Sequence, residues 1–242
     1  MINRLKPLST LLDHLVNREA KTGRCVTCLN KHAYQGLCTP CRADLPHNRL
    51  HCDTCALPLA FSGSVRRCGE CLTQPPPFTR SLIPWRYQFP VDSMIGRYKY
   101  QGHRKFARPL LADFTDYLER TLTESERPEL LIPAPMHWQR RWQRGFNQSQ
   151  DIAEYLGRRL KIPVGSQAVR RKRKVRAQRG LNRDGRLSNL SSVFEVCAPI
   201  PERVAIIDDV VTTGATTRAL AIELAGAGAR DIQIWALART LG

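Results

Sequence analysis

The pattern of apolar and polar positions changes character near residue 78. Over residues 21–73 bulky apolar residues are sparse, too few to bury a core without help. From residue 79 onward apolar runs alternate with helical spacings. TRSLIPWRYQF (79–89) predicts one strand or a pair of short strands. RKFARPLLADFTDYLERTL (104–122) has helical periodicity with Pro109 near its start. ELLIPAP (129–135) reads as a short buried strand ended by prolines, and FNQSQDIAEYLGRRL (146–160) as a second helix. Gly165 to Val169 predicts another short strand, and Arg170 to Asn189 a mobile polar loop with one helical turn. SVFEV (192–196), the strand RVAIID (203–208), the helix ATTRALAIELAGAGA (215–229) and the strand DIQIWALA (231–238) complete the chain. Strands that are apolar throughout, alternating with helices, imply an α/β fold whose parallel sheet is covered on both faces. The N-terminal stretch, residues 1–20, predicts a short amphipathic helix.

The sparse region carries the cysteines. Eight of the nine cysteines form four CxxC pairs: Cys25/Cys28, Cys38/Cys41, Cys52/Cys55 and Cys68/Cys71. Each pair places two thiolates at the spacing of a zinc knuckle, and counting gives about two four-cysteine zinc sites. Short intervening gaps favour sequential sites, 25/28/38/41 and 52/55/68/71. A cross-braced arrangement, first pair with third and second with fourth, stays open. Metal would supply much of the folding energy of this module. Cys197 stands alone and is expected as a small core residue. The run QPPPF (74–78) is a stiff break. The expected organisation is therefore an N-terminal helix (1–20), a double CxxC zinc module (21–77) and an α/β domain (78–242).

Charge narrows the partners. The 242 residues carry 38 Lys and Arg against 21 Asp and Glu, a formal net charge of +17. A polyanion is the expected partner: nucleic acid, phosphorylated metabolite or anionic lipid. The first residues lack the apolar run of a signal peptide, and no stretch is long and apolar enough to span a bilayer. A cytoplasmic protein is expected.

The chemistry concentrates in VAIIDDVVTTGATT (204–217). A strand ending at Asp208 and Asp209 puts two carboxylates at the carboxyl edge of a parallel sheet, where α/β folds bind ligands. Thr212, Thr213, Gly214, Ala215 and Thr216 then lead into a helix. Amide groups at such a turn, with the positive helix end, cradle a phosphate, and Gly214 lets the backbone approach closely. A phosphate loop behind two carboxylates suits a sugar phosphate. The GxxxxGK[ST] pattern of the P-loop is absent.

This stretch resembles the phosphoribosyl pyrophosphate (PRPP) signature of type I phosphoribosyltransferases. Most of the chain resembles one branch of that superfamily, the ComF (competence protein F) and DNA-utilisation proteins. The cysteine-rich head, IPAPMHWQRRWQRGFNQS (132–149) and QRGLNRDGRLSNLSSVF (178–194) carry the resemblance alongside the signature. It implies a type I phosphoribosyltransferase fold behind a zinc module. Asp208 and Asp209 would contact the ribose hydroxyls, Thr212 to Thr216 would hold the 5′-phosphate, and magnesium would accompany the pyrophosphate. It also implies a role with imported single-stranded DNA, among proteins of the competence machinery. The alternative is an active transferase that moves the 5-phosphoribosyl group from PRPP to a nucleobase or amine, so catalysis stays an open question.

Two basic segments fit an anion. Within 132–149, Arg140, Arg141 and Arg144 interleave with Trp138, Trp142 and Phe146. Arginines neutralise phosphates and aromatic faces stack on unpaired bases; the plain alternative is a helix with tryptophans in the core and arginines in water. In RRKRKVR (170–176), Arg171, Lys172, Arg173 and Lys174 belong to a run of six cations in seven residues. That run reads either as a solvated loop or as a flap that closes on pyrophosphate or a nucleic-acid backbone. The resemblance places a closing lid of transferases in this region.

Overall fold

A computed structural model describes residues 23–61, 66–136, 144–172 and 193–241. The expected helix over 1–20, the polar loop beyond Lys172, and Trp138, Arg140, Arg141, Trp142, Arg173 and Lys174 lie outside the described residues. The chain divides into two compact units, Met1–Asp44 and Leu45–Gly242.

The smaller unit is built from turns. Gly23 bridges Ala33 and Tyr34 bridges Leu37, both antiparallel. A short helix follows, α1 (Thr39–Ala43), with Pro40 in its first turn where a missing N–H costs nothing.

The larger unit holds the α/β architecture. Its elements are α2 (Gly69–Thr73), β1 (Arg80–Leu82), β2 (Trp85–Arg86), α3 (Val91–Gln101), α4 (Arg104–Thr121), β3 (Leu130–Pro133), α5 (Gln148–Leu160), β4 (Val169–Arg171), β5 (Phe194–Val196), β6 (Arg203–Val211), α6 (Ala215–Gly226) and β7 (Asp231–Arg239). The main sheet runs in the order β1-β7-β6-β3, with β2 also on β7, and every pairing is parallel. All its strands therefore end at one edge. β4 and β5 form a separate antiparallel pair.

Alternation along the strands divides the core. Val204 and Ile206 of β6, Ile232, Ile234 and Ala236 of β7 and Ile132 of β3 pack with Leu220 and Leu224 of α6 in one buried cluster. Residues of opposite parity, such as Ala205, Ile207, Leu131 and Trp235, are equally buried. Helices α4 and α5 also pack on the sheet, α5 against β3 and β6, and α4 against β7. Inside β7, Trp235 donates its indole N–H to Gln233 Oε1 at 3.0 Å, which satisfies a buried polar group in place. Among the described residues no helix is long and apolar enough to cross a membrane.

Four details depart from expectation. Helix α3 falls outside the predicted elements, although Val91, Met94, Ile95 and Tyr98 are buried at helical spacing. It has no side-chain N-cap to announce it. β6 runs on to Val211 instead of ending at the acid pair, because β7 keeps pairing with it up to Arg239 while β3 leaves at Pro133. The strand expected at Gly165–Val169 begins only at Val169, since a turn closed by Ala168 N–H to Gly165 O comes first. Cys197 is exposed and not a core residue; β5 ends before it and its thiol lies 3.5 Å from the Glu195 carbonyl oxygen.

Gly157 shows how tightly α5 docks. A Cβ there would stand 2.6 Å from Val164 Cγ2 and 2.8 Å from the Ile162 carbonyl oxygen. Backbone cannot yield as a side-chain tip can. Gly157→Ala is therefore expected to lower stability by about 1–3 kcal/mol, read as a lower urea midpoint with an unchanged slope.

Candidate functional site

The parallel sheet presents two features at one edge. On the β3 side β6 emerges at Asp208, just beyond the last pair, Pro133 with Ile207. On the β7 side it continues to Val211 and turns into the loop of Thr212, Thr213 and Gly214 that opens α6. Gly214 takes φ 74° and its carbonyl accepts from Thr217 Oγ1 at 2.9 Å. Thr212, Thr213, Ala215 and Thr216 face solvent. The first amides of a helix have no carbonyl one turn back. Here, among the described residues, that of Ala215 meets only Thr213 Oγ1, at 3.4 Å. This is a helix N-terminus open to an anion, beside two carboxylates.

The acid pair is held by residues from distant parts of the chain. Lys99, near the end of α3, places its Nζ 2.9 Å from Asp209 Oδ1, with side chains only 14% and 11% exposed. Ser149, in the first turn of α5, donates to Asp208 Oδ1 at 3.0 Å, and the Asp209 N–H donates to the same oxygen at 2.9 Å. Asn147 caps α5 by accepting from the Ser149 N–H and donates to the Ala134 carbonyl at 3.2 Å. The buried Gln148 donates to the Lys99 carbonyl at 3.5 Å, and Tyr98 donates to Asp151 Oδ2 at 2.8 Å. Burial, and then the charge of Asp209, push the Asp208 carboxyl up to about 7, against the pull of the Asp209 amide, Ser149 and Lys99. Burial also raises Tyr98, with Asp151 adding to it. Lys99 and Ser149 are the residues that sequence reasoning missed, although Ser149 closes the FNQS segment.

The cysteines form two clusters of four. Cys25, Cys28, Cys38 and Cys41 make one and Cys52, Cys55, Cys68 and Cys71 the other, with all sulfurs of a cluster within 4.8 Å of one another. The grouping is sequential. A tetrahedral zinc with Zn–S near 2.3 Å sets its sulfurs about 3.8 Å apart. Cys28 and Cys38 sulfurs lie 3.5 Å apart, and Cys55 and Cys68 sulfurs 3.6 Å, so both donor sets suit such an ion. The two knuckles are copies. Burial would raise the Cys25 thiol, but the N–H groups of Cys28, Cys38 and Thr27 hold it down at about 6. Cys52 is set to about 7 by the same opposition, with donors from Cys55, Cys68 and Thr54. In each copy the third cysteine, Cys38 or Cys68, N-caps a short helix.

No family model matches the chain. Among curated proteins it is 34% identical over 226 residues to competence protein F of Haemophilus influenzae, spanning 89% of this chain and 96% of that one. The chain belongs to the competence protein F (ComF) family. It is also 35% identical over 212 residues to the DNA utilization protein YhgH of Escherichia coli K12, spanning 85% of this chain and 91% of that one. Among solved structures, a purine phosphoribosyltransferase from Pyrococcus horikoshii Ot3 aligns with 17% identity and a TM-score of 0.34, over 55% of this chain and 82% of that one. That distant likeness adds nothing to the family assignment.

Of the basic and aromatic residues singled out in this ComF-family chain, four are described. Phe146 packs against Tyr98, ring centroids 5.4 Å apart, with the Arg104 guanidinium 5.9 Å from its own centroid. Arg144 lies over the ring of Tyr100 at 5.0 Å. Tyr100 is 75% exposed, an aromatic surface that sequence reasoning also missed. Arg171 and Lys172 are exposed at the end of β4.

One ion per cluster is the expected loading of the ComF-family chain. Elemental analysis should find about two ions per chain in wild type and about one in Cys28→Ser. Metal-free protein with its cysteines oxidised would contradict both sites.

Proposed function

We propose that this ComF-family chain binds PRPP with magnesium at the β6 edge and serves the handling of single-stranded DNA in the cytoplasm, with zinc in both cysteine clusters. The observation that carries the reading is the joint placement of two carboxylates and an open helix N-terminus at one sheet edge. Asp208 and Asp209 would accept hydrogen bonds from ribose hydroxyls. The amides and hydroxyls of Thr212, Thr213, Gly214, Ala215 and Thr216 would hold the 5′-phosphate, and magnesium would arrive with the pyrophosphate. Lys99 offers a cation that an incoming pyrophosphate can share with Asp209. Four-thiolate sites in short knuckles favour zinc over harder ions. For DNA, the support is the net charge of +17, the exposed Tyr100 under Arg144, and relatives named for competence and DNA utilization. Proteins of the competence machinery are the proposed partners.

Calorimetry with PRPP and magnesium tests the first half. Asp208→Asn with Asp209→Asn turns charge-assisted hydrogen bonds into neutral ones and is expected to weaken binding at least about tenfold. Equal affinity in the double variant would refute the assignment. The Asp208 shift also fixes a pH dependence. A carboxyl raised to about 7 holds its proton near pH 6. Affinity should therefore rise between about pH 6 and 8, and Asp208→Asn should remove that part of the rise. The same shift makes the fold less stable as pH climbs from about 4 to about 7, because the unfolded chain gives up this proton near 4. Pyrophosphate release in the presence of nucleobases or amines would reveal an active transferase.

The DNA half is read from oligonucleotide binding. Single strands are expected to bind more tightly than duplex, with affinity falling steeply in salt. Loss of a stacking ring, in Tyr100→Ala or Trp142→Ala, should cost about 1–3 kcal/mol with little change in salt slope. Replacing Arg171, Lys172, Arg173 and Lys174 with Ala should flatten the slope. A lower melting temperature in Trp142→Ala would instead mark that ring as core. Equal binding of single and double strands would overturn this half.

A further inference from the structure

Arg239, the last residue of β7, is only 5% exposed. Its guanidinium is surrounded by oxygens that carry no net charge. Nε donates to the Cys55 carbonyl at 3.3 Å, and Nη1 donates to the carbonyls of Val211 at 3.2 Å, Thr212, and Thr240 at 3.3 Å. Among the described residues no carboxylate pairs with it. A buried cation is ordinarily matched by an anion. The nearest feature built for one is the loop it holds, since Val211 and Thr212 lead straight into the Thr212–Thr216 turn.

The other end of this contact is the second cysteine knuckle. Three consecutive carbonyls there are each met by a side chain, two from strands of the main sheet and one from Asn48 just before the knuckle. Ser81 Oγ donates to Thr54 O at 2.7 Å, Arg239 Nε to Cys55 O, and Asn48 Nδ2 to Ala56 O at 2.8 Å. A second tie runs alongside. Arg218, in the first turn of α6, pairs with Glu70 of α2 at 2.9 Å and donates to the Gln74 carbonyl at 3.2 Å. Between the two ties lies a small cavity lined by Cys55, Phe78, Ser81, Val211, Gly214 and Thr217.

We infer that Arg239 is a positioning residue that couples the phosphate loop to the metal in the second cysteine cluster, so that this cluster and not the first sets affinity for a sugar phosphate. The ligand clause rests on the PRPP reading; the mechanical link stands without it. With an ion at Cys52, Cys55, Cys68 and Cys71 the knuckle is a fixed turn and the Cys55 carbonyl a fixed acceptor. Without it the carbonyls at 54–56 lose their common frame, the guanidinium loses one anchor, and the Val211 and Thr212 carbonyls are left with Thr240 as their steady donor, through its N–H at 3.1 Å and its Oγ1 at 3.5 Å. The loop amides then no longer converge. Linkage makes the effect reciprocal. A phosphate on the loop supplies the charge that Arg239 lacks, which steadies the knuckle and slows metal loss from the second cluster.

The test uses the full chain and three readouts: metal content, hydrogen exchange of the first hydrogen-bonded amides behind the loop, beginning with the Arg218 N–H that donates to Gly214 O at 2.9 Å, and calorimetry with PRPP and magnesium. Arg239→Gln is expected to keep about two ions per chain, to speed exchange of those amides about tenfold or more, and to weaken PRPP about tenfold, with Arg239→Lys intermediate. Cys71→Ser should reproduce the loop effect, while Cys25→Ser, which lies in the other compact unit, should leave loop exchange and affinity within about twofold of wild type. In wild type, PRPP should slow chelator extraction of one ion and not of the other. Unchanged loop exchange in Arg239→Gln would overturn the coupling, as would a Cys25→Ser loop as mobile as that of Cys71→Ser. Should Cys71→Ser fail to fold, the Arg239 variants decide. Wild type that binds no PRPP would overturn the sugar-phosphate reading, and the exchange comparison would still decide the tether.

Discussion

Two carboxylates on consecutive residues of a sheet edge are held apart from mutual repulsion by one ammonium. Lys99 sits 2.9 Å from Asp209, in a setting that water hardly reaches. Breaking such a pair by removing one partner typically costs about 3–5 kcal/mol, because the other charge is left buried and alone. The remaining acid, Asp208, holds its proton more tightly than a free carboxyl does, first because it is buried and then because Asp209 lies beside it. The same lysine fastens three pieces of chain together. Its own carbonyl accepts from Gln148, and its neighbour Tyr98 reaches Asp151. The end of α3, the start of α5 and the edge of β6 thus share one polar network. An anion entering this edge meets a lysine already in place and a carboxylate already oriented, so little reorganisation is left for binding to drive.

What could be read from the sequence was what is local. The CxxC pairs lie within four residues of chain, and VAIIDDVVTTGATT places acids, glycine and hydroxyls in one uninterrupted stretch. The strands of the main sheet showed themselves as apolar runs because both faces are covered. The partners of the site are not local. Ser149 meets Asp208 across 59 positions, and Arg239 meets Cys55 across 184. No periodicity reports such contacts, and a lysine or arginine among the chain's 38 carries no mark of which one is buried. Spacing favoured sequential cysteine sites and left cross-braced ones open, and the positions of the sulfurs decide for the sequential grouping. Cys197 misled for a related reason: composition says where cysteines usually go, while the end of β5 decides where this one goes.

The two cysteine knuckles carry a comparison within one molecule. Each places a residue in the left-handed region after its second cysteine, Leu29 at φ 64° and Ala56 at φ 56°. The turn is the same, and the surroundings are opposite. Leu29 is 65% exposed, while Ala56 is fully buried and belongs to the core that α6 and the sheet share. A small side chain at 56 follows from that packing, since a branched one would press against a core that fills its space as closely as a crystal does. Position 29 meets no such limit. A metal knuckle repeated in sequence has therefore been put to two uses. The first is a module that its own ion can hold together. The second surrenders the carbonyls of three successive residues to Ser81, Arg239 and Asn48 and becomes part of the wall behind the loop of Thr212, Thr213 and Gly214. An ion held by the second cluster would act on that wall, and through it on the loop that leans on it.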